Sequence, residues 1–417
     1  MTLAIVAVVL LLFLGFPLYL SIAAATLIAF NWNDPKNPSL YIEMIRLVDA
    51  PSLLAIPMFT FSGFLLAASK APSRIVELSH AFLGWVPGGL AIVSVISCTL
   101  LTALTGASGV TIVALGGLLY PSLIKQGYSD RFTTGLLTTS GSRGLLFPPS
   151  LPLILYAVVA QVNIDQLFRA CLIPGLVSMS LVLLYCFWMG RGFQKEKKSF
   201  SWSYAIQTLK NCWMELPIPL VVLGGIYGGI VTATEASCIV ALYVLIMEGW
   251  ILKEVSFKKD LPKVIVDSMT LVASILIILA VALAFTSYLV DAQIPMKLLD
   301  WVKANIHSKT IFLLILNVFI LVLCVMDGLS AIIIAVPLIY PIASSMGIHP
   351  LHLGAIFLTN LEIGYSTPPL GMNLFIASNR FKKPILNLCR DTLPFLLLLF
   401  LALMLITYIP SISLCLL

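Results

Sequence analysis

Apolar residues come in long runs along this chain. Leu3–Phe30, Pro174–Met189, Val264–Val290, Ile311–Met326 and Phe395–Ile409 approach or exceed the ~20 residues that a helix needs to cross a bilayer. Their spacing predicts ten to twelve spanning or half-spanning helices and an all-α polytopic membrane protein. Composition agrees: 60% of the 417 residues are hydrophobic and 10% charged, where a soluble domain carries about 25% charged residues. The mean hydropathy of +1.06 excludes a soluble globular enzyme.

Met1–Phe30 holds no Lys or Arg and is long enough to span, so it reads as a retained first helix and not a cleavable leader. The eight cysteines stand singly, mostly inside apolar runs, with no Cys-x-x-Cys pair. Core packing is their expected role. The net charge of +6 does not indicate a nucleic-acid partner, because the basic residues cluster in short stretches between apolar runs. Arg191 to Lys198 and Lys253 to Lys263 are the densest, and the positive-inside rule puts both in the cytoplasm. Leu216–Val231 and Ala236–Ile251 lie between them, which fits two crossings, out and back.

Two passages share one skeleton. Pro121 and Pro341, Gly127 and Gly347, Gly144 and Gly364, Pro148 and Pro368, and Pro149 and Pro369 each stand 220 residues apart. Five landmarks in register point to duplication. Lys125 to Arg131 is a basic loop, whereas the matching Ser345 to Leu353 holds no Lys or Arg. After the Pro-Pro segments the bias reverses: Val162 to Gln166 carries only Asp165, but Arg380, Lys382 and Lys383 follow the second copy. The copies therefore face opposite ways, an inverted repeat, although Arg169 on the outer side of the first copy weakens the contrast.

Each copy also breaks apolar stretches that should be continuous. Thr105 to Gly109 and Asp327 to Ser330 read as tips of re-entrant helical hairpins, and Ser140 to Ser150 and Asn360 to Gly371 as broken helices. Irregular backbone at membrane depth is tolerated where it is buried in protein or lines a watery cavity. Its freed carbonyls can coordinate a cation, and half-helix N-termini favour an anion.

These residues carry a family resemblance. Thr105-Gly-Ala-Ser-Gly-Val-Thr111, Leu145-Leu-Phe-Pro-Pro-Ser-Leu-Pro152, Gly347-Ile-His-Pro-Leu-His-Leu-Gly354, Asn360-Leu-Glu-Ile-Gly364 and Thr367-Pro-Pro-Leu-Gly371 resemble the signature regions of the large membrane subunit of TRAP transporters. Thr232-Ala-Thr-Glu-Ala236 is similar to that family's Thr-Pro-Thr-Glu-Ala element. The likeness runs from Ala55 onward. It implies a sodium-coupled secondary importer of organic acids with an elevator-type fold, working with a small membrane subunit and a periplasmic substrate-binding protein. No small-subunit region is present in the sequence, so that partner is expected as a separate chain. The division implied is scaffold and arm over 1–87, transport repeat 1 over 88–170, scaffold over 171–307, transport repeat 2 over 308–383 and a C-terminal membrane helix over 384–417. Three positions depart from the family: a tip less rich in serine around Ser108, Ala233 for the common Pro, and Arg143 where an apolar residue is usual.

Sodium ligands are expected at Thr105, Ser108, Gly141, Gly144, Pro148, Asp327, Gly328, Asn360, Gly364, Thr367 and Pro368, since freed carbonyls and hydroxyls suit a hard cation. The substrate's carboxylate is assigned to Ser108, Arg143, Ser150 and Asp327, with Arg143 as a bidentate partner. Glu235 and Glu362 are expected to make packing or loop contacts. His349 and His352 straddle Pro350 in a loop setting and do not suggest a metal pair. No nucleophile-and-base or His-Glu-x-x-His motif accompanies the four histidines, so an embedded enzyme is not expected. A stand-alone sodium/carboxylate symporter of similar repeat is the nearest rival. The identity of the organic acid is not legible.

Overall fold

The computed structural model describes residues 18–33, 41, 42, 45, 47, 51–191, 200–306, 308–326, 328–368 and 370–417. Every regular element among them is helical. Helices α1 (Leu18–Asn33), α2 (Ala55–Ala68) and α3 (Ala71–Leu83) lead to a first hairpin, α4 (Gly89–Thr105) and α5 (Ser108–Lys125). A broken pair follows, α6 (Asp130–Ser140) and α7 (Leu151–Ala160), and then the long α8 (Ile164–Gly190). The middle holds α9 (Trp202–Asn211), α10 (Ala233–Leu245, extended by a π-helical turn to Ile251) and α11 (Asp260–Asp291). The last part runs α12 (Ile294–Asn305), a second hairpin of α13 (Lys309–Met326) and α14 (Gly328–Ser345), a second broken pair of α15 (Pro350–Gly364) and α16 (Met372–Phe381), α17 (Ile385–Tyr408) and α18 (Ser411–Leu414).

Six of these are long and apolar enough to cross a membrane: α5, α8, α10 with its π turn, α11, α14 and α17. The α6/α7 pair, bent by 43°, is a seventh, broken span. Shorter apolar helices lie at Tyr19–Ile28, Ala55–Ala68, Gly89–Thr105 and Lys309–Cys324, so the total falls within the ten to twelve that the apolar runs predict.

The duplication is visible in the backbone. Helices starting at 89, 108 and 130 have counterparts starting at 309, 328 and 350, each 220 residues later; those at 151 and 164 match 372 and 385. Gly127 and Gly347 both take positive φ, and Gln161 and Lys382, each at φ 53°, end α7 and α16 in the left-handed region. The correspondence continues into α8 and α17, past the bounds of 170 and 383 that the motifs suggest.

The copies interlock. α16 packs on α5 of the first hairpin, and its counterpart α7 packs on α14 of the second. Likewise α17 packs on α6 while α8 packs on α15. One end of this unit is fastened by charge: Asp391 of α17 accepts from Thr134 Oγ1 at 2.8 Å, and Lys383 reaches Asp130 at 2.5 Å and Asp391 at 3.5 Å. A second group forms from α2 with α10 and α11, and from α11 with α1. A capping box between Thr232 and Glu235 starts α10, which gives Glu235 its loop contact. Between the two groups runs α3. Its Arg74 is ion-paired to Glu215, to Glu248 at 3.1 Å and to Glu254 at 2.7 Å, which ties α3 to the end of α10.

Candidate functional site

Each hairpin tip meets the break of its own copy. Gly106 ends α4 at φ 65°, where an L side chain is strained, and a Cβ there would stand 2.7 Å from the Leu151 Cβ. The tip therefore lies against the start of α7. The first break begins at Gly141, whose carbonyl accepts from Thr102 Oγ1 at 2.8 Å and whose Cα lies close to the Ser108 carbonyl. A 3-10 turn, Arg143–Leu146, comes next and sits directly on α4, since a Cβ at Gly144 would collide with the Thr99 and Ala103 backbone. Pro148 and Ser150 then lead into α7. Thr105, Ser108, Gly141, Gly144, Pro148 and Ser150 are thus gathered into one buried region.

The second copy repeats the arrangement. A Cβ at Gly328 would sit 3.2 Å from the Tyr365 ring, and one at Gly364 would sit 2.9 Å from the Cys324 carbonyl. Thr367 Oγ1 donates to Ile363 O at 2.8 Å, and Pro368 follows in the irregular segment before α16. Asp327, expected at this tip, and Pro369 lie outside the described residues.

Buried side-chain oxygens without a hydrogen-bond partner gather at these breaks. Among the described residues they include Ser108 Oγ, Ser140 Oγ, Ser150 Oγ, Asn360 Oδ1 and Asn373 Oδ1. Burying such a group costs free energy unless something binds it. Ser140 and Asn360 are 220 residues apart, each within about one helical turn of the break in its copy, and both are 0% exposed. Asn373 Nδ2 bridges the copies, donating to Thr138 O and Ser366 Oγ at 3.3 Å each. Ser140 and Asn373 are not among the residues singled out above; for Ser140 the repeat offset is a usable signal, whereas Asn373 has no polar counterpart.

Arg143 lies beside a carboxylate of the other copy: Nη1 is 3.6 Å from Glu362 Oε1 and donates to Ser178 O at 3.2 Å, both side chains of the pair are 0% exposed, and Nε and Nη2 are buried without hydrogen-bond partners. Burial of an unpaired guanidinium is far costlier than burial beside a carboxylate, and Glu362 of the other copy supplies one. Ser142 Oγ also donates to Glu362 O at 3.0 Å, and these two positions are themselves 220 apart. Glu362 is therefore an ion-pair partner as well as a packing residue. His349 caps α15 by accepting from Leu351 N, and His352 is buried against Ser413 and Thr407. No group of three His, Cys, Asp or Glu among the described residues is placed to hold a metal.

A cavity of about 630 Å³ lies between the two helix groups, with Phe64 and Val264 on one wall and Gly109, Val113 and Ile376 on the other. Asp260, Lys263 and Asp267 of α11 also line it.

A family profile described as "Tripartite ATP-independent periplasmic transporter, DctM component" matches residues 5–412. The chain belongs to this family. The permease is 32% identical over 394 residues to the C4-dicarboxylate TRAP transporter large permease protein DctM of Pseudomonas aeruginosa, covering 94% of this chain and 91% of that one. It is 31% identical over 410 residues to the ectoine TRAP transporter large permease protein TeaC of Halomonas elongata, with 97% and 96% covered. Among solved structures, the YdaH transporter of Alcanivorax borkumensis superposes with a TM-score of 0.59 over 88% of this chain and 87% of that one, at 16% identity, a likeness of fold. This DctM-family permease is accordingly a large permease subunit of a secondary transporter of the bacterial inner membrane.

Proposed function

We propose that the permease imports an organic acid driven by sodium, with the interlocked repeats moving as an elevator against the α1, α2, α10 and α11 group. The observation that carries the reading is the pair of buried acceptor oxygens at Ser140 and Asn360, repeat-related and each beside a helix break. Oxygen donors with freed carbonyls nearby suit a hard cation. One sodium is placed at Thr105, Ser108, Ser140 and the Gly141–Pro148 break, the other at Gly328, Asn360 and the Gly364–Pro368 break, with Asp327 and Thr367 as further candidates.

The substrate's carboxylate is proposed to meet Ser108 and Ser150. Their hydroxyls are buried without partners, they begin α5 and α7, and the start of α7 lies against the hairpin tip, so two helix N-termini face one region. The cavity supports an elevator, because it separates the two groups along the first hairpin. Its Lys263 belongs to the cluster that the positive-inside rule assigns to the cytoplasm, so the state seen is read as inward-facing. A separate small membrane subunit and a periplasmic binding protein complete the transporter, and the binding protein does most of the substrate selection.

Uptake of radiolabelled C4-dicarboxylates and sugar acids into proteoliposomes, with the partner subunits and an inward sodium gradient, tests the reading. Uptake is expected to collapse in sodium-free buffer and without binding protein. Equal uptake under a proton gradient alone would refute sodium coupling, and full uptake without binding protein would favour a stand-alone symporter.

A further inference from the structure

The unpartnered oxygen of Asn360 has a cause that can be traced outward. Asn360 Nδ2 donates to Asn317 Oδ1 at 2.7 Å and to Ile356 O at 2.9 Å, which uses both amide hydrogens. Oδ1 is left as an acceptor only. Turning the amide over would set that oxygen against two other acceptors. Asn317, on α13, is fixed in its turn because its Nδ2 donates to Thr407 Oγ1 at 3.0 Å. Asn317 is 2% exposed, and Thr407 and Asn360 are 0% exposed, so water does not compete for these bonds.

The first repeat lacks this device. Moving Asn360 and Asn317 back by 220 gives Ser140 and Ser97, and Thr407, in the last helix where the matched elements stand 221 apart, corresponds to Cys186. Ser97 Oγ and Ser140 Oγ are both buried without partners, and no chain of side chains fixes either rotor. We infer that the two repeat-related cation sites are unequal: Asn317 is a positioning residue that holds the Asn360 oxygen at the second break, making that site the tighter one, while the first presents rotatable hydroxyls and binds more weakly. A pre-oriented acceptor gives up less freedom on binding than a hydroxyl does. The inference rests on the proposed sodium coupling.

The test is sodium titration of purified permease at constant ionic strength against choline, read as melting temperature, with uptake rates measured in parallel. Asn317→Leu is expected to raise the half-saturating sodium concentration by about tenfold or more, as losses of partners behind a metal ligand do, while the rate at saturating sodium is largely kept. Asn317→Asp keeps an oxygen for Asn360 Nδ2 and should restore the wild-type value. Ser97→Ala should leave it unmoved. Thr407→Val, one step further out, should shift it in the same direction as Asn317→Leu and keeps the test open if that variant fails to fold. Equal shifts for Ser97→Ala and Asn317→Leu, or none for Asn317→Leu and Thr407→Val in a protein that responds to sodium, would overturn the inequality. A wild type with no sodium response removes the sodium reading itself, and the inequality with it.

Discussion

Replacing Arg143 with methionine removes a guanidinium that is wholly enclosed and leaves Glu362, equally enclosed, without a counter-charge. Breaking a buried ion pair from one side costs about 3–5 kcal/mol, whereas replacing both partners by apolar residues of similar volume is often neutral or stabilising. Arg143→Met and Glu362→Met are each expected to destabilise on that scale, and the double variant to return to wild-type stability or above. The coupling, the double variant's change less the sum of the two single changes, is then at least about 6 kcal/mol in magnitude, far above the few tenths seen for independent sites. Geometry refines this: the 3.6 Å separation is longer than a charge-assisted hydrogen bond of ~2.8 Å, so the attraction is mainly coulombic, and Arg143→Lys should recover part of the loss. The assay is thermal unfolding of purified permease in detergent, scored by the order of melting temperatures, with uptake of the same variants in proteoliposomes. A double variant that melts below both single variants refutes the pairing argument. A double variant that is fully stable yet binds and transports no substrate shows that the pair serves the substrate as well as the fold.

Two further predictions concern the whole chain. In a cysteine-free background, single cysteines at 125, 259 and 382 are expected to react only from the cytoplasm and those at 163 and 347 only from the periplasm; labelling of 125 and 382 from opposite sides would break the inverted repeat. Arg74→Met leaves Glu215, Glu248 and Glu254 crowded without their shared cation, so α3 should loosen from the end of α10. Faster proteolysis near residue 254 and a lowered melting temperature, partly recovered in Arg74→Lys, are expected; unchanged proteolysis would show that the clasp does not hold α3.

How far the sequence could be read depended on whether a feature is local or crosses the copies. Helix spans follow from runs of apolar residues, and the breaks follow from Gly and Pro, which act on their own backbone; both were legible, down to the 220-residue offset. The interlocking of α16 with α5 and of α7 with α14 was not, because nothing local says which copy a half-helix packs against. Arg143 shows the consequence. Alone in a broken helix it looks like a ligand for a carboxylate, and a sequence does not show that a protein carboxylate stands beside it, since Glu362 becomes its neighbour only when the two copies cross. The Asn317–Asn360 bond illustrates the opposite limit. Each asparagine stands in an apolar run, where a polar residue demands a partner, and a sequence gives the demand without the pairing. Offset comparison carries one step more than either approach: setting Ser97 and Ser140 beside Asn317 and Asn360 shows that the duplication kept the position of a polar group while changing its chemistry. Departures from repeat symmetry at such matched positions are therefore where a difference in work between the two halves is to be sought.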